Sequence, residues 1–247
     1  MHLRWRLAVV TGAGSGLGRE VALRLARVGA SVLVVDRDLA AAEDAVAQLE
    51  LCRVKAWSLQ ADLAEDDAVR LVAARARDLG GADLLVNNAG GWTSGEQYPA
   101  ASSAAWGRTL ALNLRAPMLL TQLFLDDLAH RGGRSDEPGA VVNVSSSAAL
   151  GHEAYGSPEY AATKAALVRF TTAMAGERRA RVTCVVPGWV GLDRAVAQWE
   201  ALHESEREGL LPLVAPELVA TTVVGLLREG VGGTIVELPG GEPSRGR

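Results

Sequence analysis

The strongest constraint on the fold is a glycine turn that joins a short apolar run to an amphipathic run. Residues 7–10 are apolar and largely β-branched, and the segment TGAGSGLG, residues 11–18, follows directly. An amphipathic stretch then covers residues 19–28 and ends at Gly29. This order predicts a strand, a tight turn and a helix. Glycines in such a turn let the backbone approach a pyrophosphate, whose charge the helix N-terminus stabilises.

The second predicted strand, residues 31–35, ends in an acidic residue. Asp36 lies about twenty positions beyond the glycine turn, where a carboxylate accepts hydrogen bonds from a ribose diol and repels a 2′-phosphate. NAD is therefore favoured over NADP. Arg37 leaves the alternative open, because a guanidinium at this place could bind the phosphate instead.

Strand and helix patterns alternate along the rest of the chain. This alternation predicts an α/β protein with a single-domain Rossmann fold, a doubly wound parallel sheet of about seven strands with helices on both faces. We expect one domain over residues 1–247, with a flexible tail at about 239–247. Further strands are predicted at residues 54–59, 82–86, 140–144, 181–186 and 233–238, and helices at 40–51, from about Asp66, at 103–128, from near Pro158, at 192–208 and at 216–228.

Composition excludes several classes of function. The net charge is −4 without a basic block, so we expect no nucleic-acid partner. The apolar runs are short and interrupted, and the first residues contain no signal-peptide pattern, so we expect no membrane partner and a cytoplasmic location. Cys52 and Cys184 have no metal-like spacing and the four histidines are scattered, so no metal site is predicted.

An acid/base pair is predicted on the helix that begins near Pro158. Tyr160 and Lys164 are four residues apart, so their side chains share one helix face. The chain has only two lysines, Lys55 and Lys164, among its 25 basic residues. A compact ammonium can lower the pKa of a neighbouring phenol. This effect would explain why position 164 has a lysine in a chain whose basic residues are nearly all arginines.

Two other polar positions are candidates for binding. Asp62 follows a predicted strand and could meet an adenine, cap the helix from about Asp66, or do both. Asn113 interrupts the apolar face of the helix at 103–128 and must find partners if it is buried, either as a structural plug or by holding a water. The inward residues predicted for that helix are Trp106, Leu110, Leu114 and Leu119.

Taken in order, these motifs resemble the short-chain dehydrogenase/reductase family over nearly the whole chain. The matching residues are Thr11-Gly12-x-x-x-Gly16-x-Gly18, Asp62, Asn87-Asn88-Ala89-Gly90, Asn113, a serine within Ser145-Ser146-Ser147, Tyr160-x-x-x-Lys164, and Pro187-Gly188. An ordered series of this kind is far more specific than any single motif.

The resemblance implies a catalytic role for four residues. Tyr160 would be the general acid/base, Lys164 would lower its pKa and hold the nicotinamide ribose, and Asn113 would anchor a water in a proton relay. A serine would hydrogen-bond the substrate oxygen; we expect Ser146 from its distance to the strand end, whereas the spacing to Tyr160 favours Ser147. Tyr155 is not the general acid/base, because Glu159 stands four residues beyond it.

The same resemblance implies a cofactor site and a substrate site. Leu192 stands where the family often has a threonine at the nicotinamide, so the backbone of Val190 is expected to make that contact alone. The expected cofactor-binding residues are Gly12, Ser15, Gly16, Leu17, Gly18, Asp36, Arg37, Asp62, Leu63, Asn88, Ala89, Gly90, Tyr160, Lys164, Pro187, Gly188 and Val190. The expected substrate contacts are Ser147, Trp92, His152, Tyr155 and Trp189.

These expectations predict an NAD-dependent oxidoreductase acting on a secondary alcohol or ketone, with tryptophans favouring an apolar or ring-bearing substrate. Two alternatives stay open: an NADPH-dependent ketone reductase of the 3-oxoacyl type, and a non-catalytic protein that senses the dinucleotide. The resemblance also implies a homo-oligomer, a tetramer or dimer, packed through the helices that contain Asn113 and Tyr160.

Overall fold

The computed structural model describes residues 1–92, 95–131, 138–151, 155–208 and 210–240. Its centre is a seven-stranded parallel sheet with the strand order β3-β2-β1-β4-β5-β6-β7, which confirms the predicted fold class. The strands are β1 (Leu7–Thr11), β2 (Ser31–Asp36), β3 (Ala56–Gln60), β4 (Leu84–Asn87), β5 (Gly139–Val144), β6 (Ala180–Pro187) and β7 (Ile235–Leu238). Residues 241–247 of the predicted tail lie outside the described residues.

Helices connect the strands and cover both faces of the sheet. They are α1 (Gly16–Arg27), α2 (Leu39–Glu50), α3 (Asp66–Asp78), α4 (Ser103–Leu110), α5 (Ala116–His130), α6 (Pro158–Ala173), α7 (Asp193–Ala201), α8 (Glu204–Arg207) and α9 (Pro216–Glu229). Among the residues that the structure describes, none of these helices combines the length and the apolar character needed to cross a membrane.

Apolar strands explain why helices lie on both faces. Every residue of β1, β4 and β5 is buried, as expected for parallel strands covered on each side. One core cluster packs the sheet against α1 and α9, and the other packs it against α3 and α5. The first includes Val21, Leu25, Val223 and Leu227, and the second includes Val69, Val72, Leu120 and Phe124.

The helix predicted at 103–128 is not continuous. A π-helical turn, Ala111–Arg115, separates α4 from α5 and contains the fully buried Asn113. The inward prediction is wrong for Leu110, which is 37% exposed. Helical spacing identifies an apolar stripe but not what that stripe faces, and here the stripe lies along an outer surface of the molecule.

The strand order reverses between β1 and β4, and this reversal places a crevice at the carboxyl ends of the strands. Hydrogen bonds from Thr11 tie the two strand ends together. Its Oγ1 donates to the carbonyl of Val86 at 3.2 Å and accepts from the backbone N–H groups of Asn88 and Ala89, each at 3.0 Å. The glycine turn and the segment after β4 therefore form the two walls of one crevice.

Candidate active site

This crevice is a cleft of about 730 Å³. The glycine turn forms the first of its two walls. Gly12 and Gly16 adopt φ angles of 62° and 53°, a backbone region that disfavours residues with a Cβ. At Gly18 a Cβ would lie 2.0 Å from the carbonyl oxygen of Gly12, so helix and turn could not pack with a larger residue. Bare backbone therefore faces the cleft where α1 begins.

Two carboxylates mark the end of the cleft near β2 and β3. The Asp36 carboxylate accepts from the N–H of Gly14 at 2.9 Å and from the N–H of Asp38 at 3.1 Å. Asp62 pairs with Arg108 and accepts from the N–H of Ala64 at 3.1 Å. Burial acts to raise the pKa of Asp62, but these hydrogen bonds and the nearby positive charges lower it overall. Both groups are therefore fixed in place by hydrogen bonds, and the lowered pKa of Asp62 favours its carboxylate form.

The helix-capping prediction for Asp62 is wrong. The N-cap residue of α3 is Glu65, and Asp62 bonds the turn before it. Arg108 also lies 3.5 Å from a Glu65 carboxylate oxygen, so this arginine of α4 holds the loop after β3 against the cleft. Arg37 lines the same end of the cleft and is exposed.

Asn113 fixes the segment after β4. Its Nδ2 donates to the carbonyl of Gly91 at 2.8 Å and its Oδ1 accepts from the Gly91 N–H at 2.9 Å. A Cβ on the preceding Gly90 would lie 2.8 Å from Asn113 Oδ1 and 3.1 Å from Lys164 Nζ. Asn113 thus acts as the structural plug that was one of its two predicted roles, and it stands next to Lys164.

Tyr160, Lys164 and Ser146 meet at the other end of the cleft. The phenol of Tyr160 is half-buried, and its ring centroid is 5.7 Å from Lys164 Nζ. Burial raises the pKa of Tyr160, while hydrogen bonding with the Ser146 hydroxyl lowers it in part. A phenol held in this way keeps its proton near neutral pH until a further positive charge or acceptor arrives.

Lys164 is buried, with 4% of its surface exposed, and its Nζ donates to the carbonyl of Val144 at 2.9 Å. Burial lowers its pKa to about 8, against a smaller opposing effect of Cys184. The amine therefore loses its proton more readily than an exposed lysine does, and an anion beside it would raise its pKa again. This lysine is the cation that the sequence predicted beside Tyr160.

The three serines after β5 have different positions. Ser145 is buried and donates to the carbonyl of Lys164 at 2.9 Å, which anchors α6. Ser146 lines the cleft beside Tyr160, whereas Ser147 is exposed and begins a short 3₁₀ turn. The geometry therefore favours Ser146 over Ser147 as the serine that reaches a substrate oxygen.

Only some of the predicted substrate contacts line the cleft. Trp92 lines the cleft, while Tyr155 stacks on Tyr160 with ring centroids 6.1 Å apart. Trp189 packs edge-on against Trp199 instead of lining the cleft. His152 lies outside the described residues.

A flap after β6 closes one side of the cleft. Val190 pairs with Val214 in a parallel bridge, which fixes both ends of the segment that carries α7 and α8. Leu192 covers the glycine turn, because a Cβ on Gly16 would lie 3.2 Å from its side chain. The remaining predicted cofactor residues in the cleft lining are Ser15, Leu17, Leu63, Asn88, Ala89, Pro187, Gly188 and Val190.

Sequence reasoning missed two arginines that line the cleft, Arg108 of α4 and Arg194 of α7. Neither belongs to a motif, and each reaches the cleft from an element distant in sequence. It also missed Arg19, whose Nε donates to the carbonyl of Gly14 at 2.9 Å and whose guanidinium pairs with Asp44 at 2.9 Å. A basic residue directly after the glycine turn was the one available signal.

A family model described as short chain dehydrogenase matches residues 6–202. This match covers the glycine turn, both cleft carboxylates and the Tyr160–Lys164 pair. The chain belongs to the short-chain dehydrogenase/reductase family. It is therefore an oxidoreductase of a family that acts on hydroxyl and keto groups and binds nicotinamide dinucleotides.

Individual relatives and structures agree with this assignment. The mouse (3R)-3-hydroxyacyl-CoA dehydrogenase is 32% identical over 98% of this chain and 97% of its own length. The L-sorbose reductase of Gluconobacter frateurii, solved with NADPH and L-sorbose, superposes with a TM-score of 0.87 at 26% identity and covers 99% of both chains. A 7α-hydroxysteroid dehydrogenase solved with NADH and 7-oxo glycochenodeoxycholic acid gives 0.85 at 28% identity, covering 97% of this chain and 95% of its own.

The residues present fit a nicotinamide dinucleotide. At Gly12 a Cβ would lie 2.9 Å from the Cα of Ala89, and at Gly90 it would contact Asn113 and Lys164, so the backbone on both walls stays bare. A flat, elongated ligand suits such a cleft. Among the described residues no group of three or more metal-ligating side chains is found.

Proposed function

We propose that this protein is an NAD(H)-dependent oxidoreductase that interconverts a secondary alcohol and a ketone. The observation that carries the proposal is the meeting of the Tyr160 phenol, the Ser146 hydroxyl and the buried Lys164 ammonium at one end of a cleft built on a glycine turn. Together with Asn113 they form the proposed catalytic tetrad.

Tyr160 moves the proton. In oxidation its phenolate takes the proton of the substrate hydroxyl, and in reduction its phenol returns a proton to the carbonyl oxygen. A nicotinamide dinucleotide, when held by the glycine turn and Lys164, would supply the hydride-transfer chemistry at the carbinol carbon. Ser146, which already hydrogen-bonds with the phenol, holds the substrate oxygen next to it.

Lys164 makes this proton transfer possible near neutral pH. Burial raises the pKa of Tyr160 despite the hydrogen bond with Ser146, so the phenolate needs a nearby positive charge. The Lys164 ammonium is 5.7 Å from the ring centroid, and its remaining N–H donors suit a ribose hydroxyl. Asn113 holds the backbone of Gly91, and the preceding Gly90 lies against this lysine. The water proposed at Asn113 would connect the lysine to solvent.

Asp36 supports the choice of NAD(H). Its carboxylate is held by two backbone N–H groups at the end of β2, where it would accept from a ribose diol and repel a 2′-phosphate. Arg37 lines the same part of the cleft and supports the alternative, an NADPH-dependent ketone reductase of the 3-oxoacyl type. The two solved relatives contain NADPH in one case and NADH in the other.

Turnover assays test the proposal. Purified protein should oxidise members of a panel of apolar and ring-bearing secondary alcohols with NAD, followed by the absorbance of the reduced nicotinamide. Activity confined to NADPH and 3-oxoacyl thioesters would favour the alternative. Tight dinucleotide binding without turnover of any alcohol, ketone or 3-oxoacyl substrate would favour a dinucleotide-sensing protein.

The proposal includes a homo-oligomer. An apolar cavity of about 710 Å³ lies on the outer surface of α4, α5 and α6, and Leu110 and Met118 in its lining are 37% and 42% exposed. A second copy packed on this surface would cover them. Light scattering should give at least a dimeric mass for the wild type and a smaller mass for Met118→Glu. A monomeric wild type would contradict the proposal.

The cytoplasmic location and the single domain stay predictions.

A further inference from the structure

Arg194 lines the cleft and has no hydrogen-bond acceptor among the residues that the structure describes. Its guanidinium lies over the ring of Trp92, 5.7 Å from the centroid. Among the described residues it forms neither a salt bridge nor a hydrogen bond with another side chain or the backbone. A cation–π contact does not use the five N–H donors of a guanidinium. Within the described part of the chain, the donors of Arg194 therefore stay available to a ligand.

A second stacked arginine shows what the ordinary structural arrangement looks like. Arg207 lies over Trp199, 6.0 Å from the centroid, on the same flap. Its Nε donates to the carbonyl of Leu202 at 3.2 Å and its Nη2 to the carbonyl of Glu200 at 2.8 Å. Arg207 thus donates hydrogen bonds to the backbone of its own flap, whereas Arg194 donates none to the described residues.

The position of the pair relates it to the reacting end of the cleft. Trp92 follows the Gly90–Gly91 segment, and Gly90 lies against both Asn113 and Lys164. Arg194 follows Leu192, which covers the glycine turn. Both Trp92 and Arg194 line the same cleft as Tyr160. An anion held at Arg194 would therefore belong to a molecule that reaches the proposed catalytic groups.

We propose that Arg194, supported by Trp92, binds a carboxylate or phosphate carried by the substrate, so that the substrate is an acidic ketone or secondary alcohol. A guanidinium binds such oxyanions through two parallel N–H donors. The pyrophosphate of the cofactor is a second possible source of the same chemistry. We favour the substrate, because the glycine turn and the N-terminus of α1 already offer N–H donors to a pyrophosphate. The inference rests on the proposed function, which it narrows to one substrate class.

Matched pairs of probes test this assignment. The probes are 3-acetylbenzoate and 4-acetylbenzoate, which carry a ketone and a carboxylate on a ring, and their neutral methyl esters. Turnover with the preferred reduced cofactor is compared for the wild type, Arg194→Gln and the control Arg207→Gln. We expect Arg194→Gln to lower the acid-to-ester ratio of kcat/KM by roughly tenfold or more, with the ester little affected. Arg207→Gln should leave the ratio unchanged.

A binding measurement separates this inference from the proposed function. In the Tyr160→Phe background with the preferred reduced cofactor bound, calorimetry measures the Kd of each acid with and without Arg194→Gln. Roughly tenfold weaker binding of the acid supports the anion site, even if the wild type turns over neither probe. An unchanged Kd and ratio would overturn it. Weaker binding of the dinucleotide itself by Arg194→Gln, with an unchanged ratio, would assign Arg194 to the pyrophosphate and overturn it as well.

Discussion

The two ends of the cleft hold their polar groups in opposite ways. In the dinucleotide half, which comprises the glycine turn, Asp36 and Asp62, both carboxylates are partly exposed and already accept hydrogen bonds from backbone N–H groups. In the reaction half, which comprises Asn113, Ser146, Tyr160 and Lys164, burial raises the pKa of the phenol and lowers that of the amine.

This difference indicates that one half of the cleft binds the ligand and the other half transfers protons. Groups that are fixed before the ligand arrives provide affinity and selectivity at little cost of reorganisation. Groups whose charged forms are disfavoured by burial are poised to exchange protons. Substitutions in the dinucleotide half should therefore change binding constants, and substitutions in the reaction half should change turnover.

The largest effect is expected for Tyr160→Phe. Loss of the proton-transferring hydroxyl should lower kcat by about 10²–10⁴-fold, while the Kd for the reduced cofactor stays within about threefold of the wild type. Steady-state kinetics and fluorescence titration measure the two quantities. Tyr98→Phe removes an exposed hydroxyl outside the cleft and serves as the control. Unchanged turnover of Tyr160→Phe would refute the proposed mechanism.

A second effect concerns stability and the pKa of Lys164. Burial lowers this pKa to about 8 from its ordinary value of 10.5. Between these values the unfolded chain binds more protons at this position than the folded chain, so this group's contribution to stability rises with pH. The unfolding free energy of the wild type relative to Lys164→Met should therefore increase between about pH 8 and about pH 10.

Urea unfolding of both proteins at several pH values measures this difference. Other titrating groups are present in both chains, so their effects largely cancel in the comparison. A difference that stays constant across the window would show that the amine of Lys164 titrates as in solvent.

The third effect belongs to the dinucleotide half. Asp36→Ala should weaken NADH binding by roughly tenfold, because two charge-assisted hydrogen bonds to a ribose diol are lost. NADPH binding should weaken less or improve, since a repulsive charge is removed. Titration of both cofactors measures this, with Asp67→Ala on the exposed side of α3 as the control. Equal losses for the two cofactors would contradict a selecting role for Asp36.

The smallest effect is expected for Arg108→Ala. This substitution removes one of the two groups that hold Asp62 at the predicted adenine end of the cleft and leaves the hydrogen bond from the N–H of Ala64. NADH binding should weaken by about threefold, the scale of one partly exposed ion pair. Reduced nicotinamide mononucleotide, which lacks the adenosine, should bind as it does to the wild type. A loss of the same size for the mononucleotide would place Arg108 elsewhere along the ligand.

Much of the fold follows from local patterns in the sequence. Fully buried parallel strands read as short apolar runs, and the helices between them have regular apolar faces, so the alternation was predictable. The π-helical turn was not predictable, because its buried Asn113 bonds the backbone of Gly91, 22 residues away, and local periodicity does not reveal such a contact. The outward-facing Leu110 was wrongly predicted because periodicity does not reveal what covers an apolar side chain.

Local sequence patterns also predict only part of the candidate active site. Motif residues at strand ends could be placed in one cleft, since the carboxyl ends of parallel strands meet at one edge of the sheet. Ser146 and Ser147 could not be separated by spacing, because only the 3₁₀ turn that follows Ser146 directs one hydroxyl inward and leaves the other exposed. Arg108 and Arg194 approach the cleft from its rim, and no local pattern marks a rim residue.

Parallel titrations of the wild-type protein with NADH and NADPH, followed by fluorescence, decide whether Asp36 selects the cofactor. They require no knowledge of the substrate and concern the dinucleotide half alone. We expect NADH to bind at least tenfold more tightly, on the scale of one charged hydrogen bond gained and a charge repulsion avoided. Tighter binding of NADPH would contradict it and would show that Arg37, not Asp36, selects the cofactor.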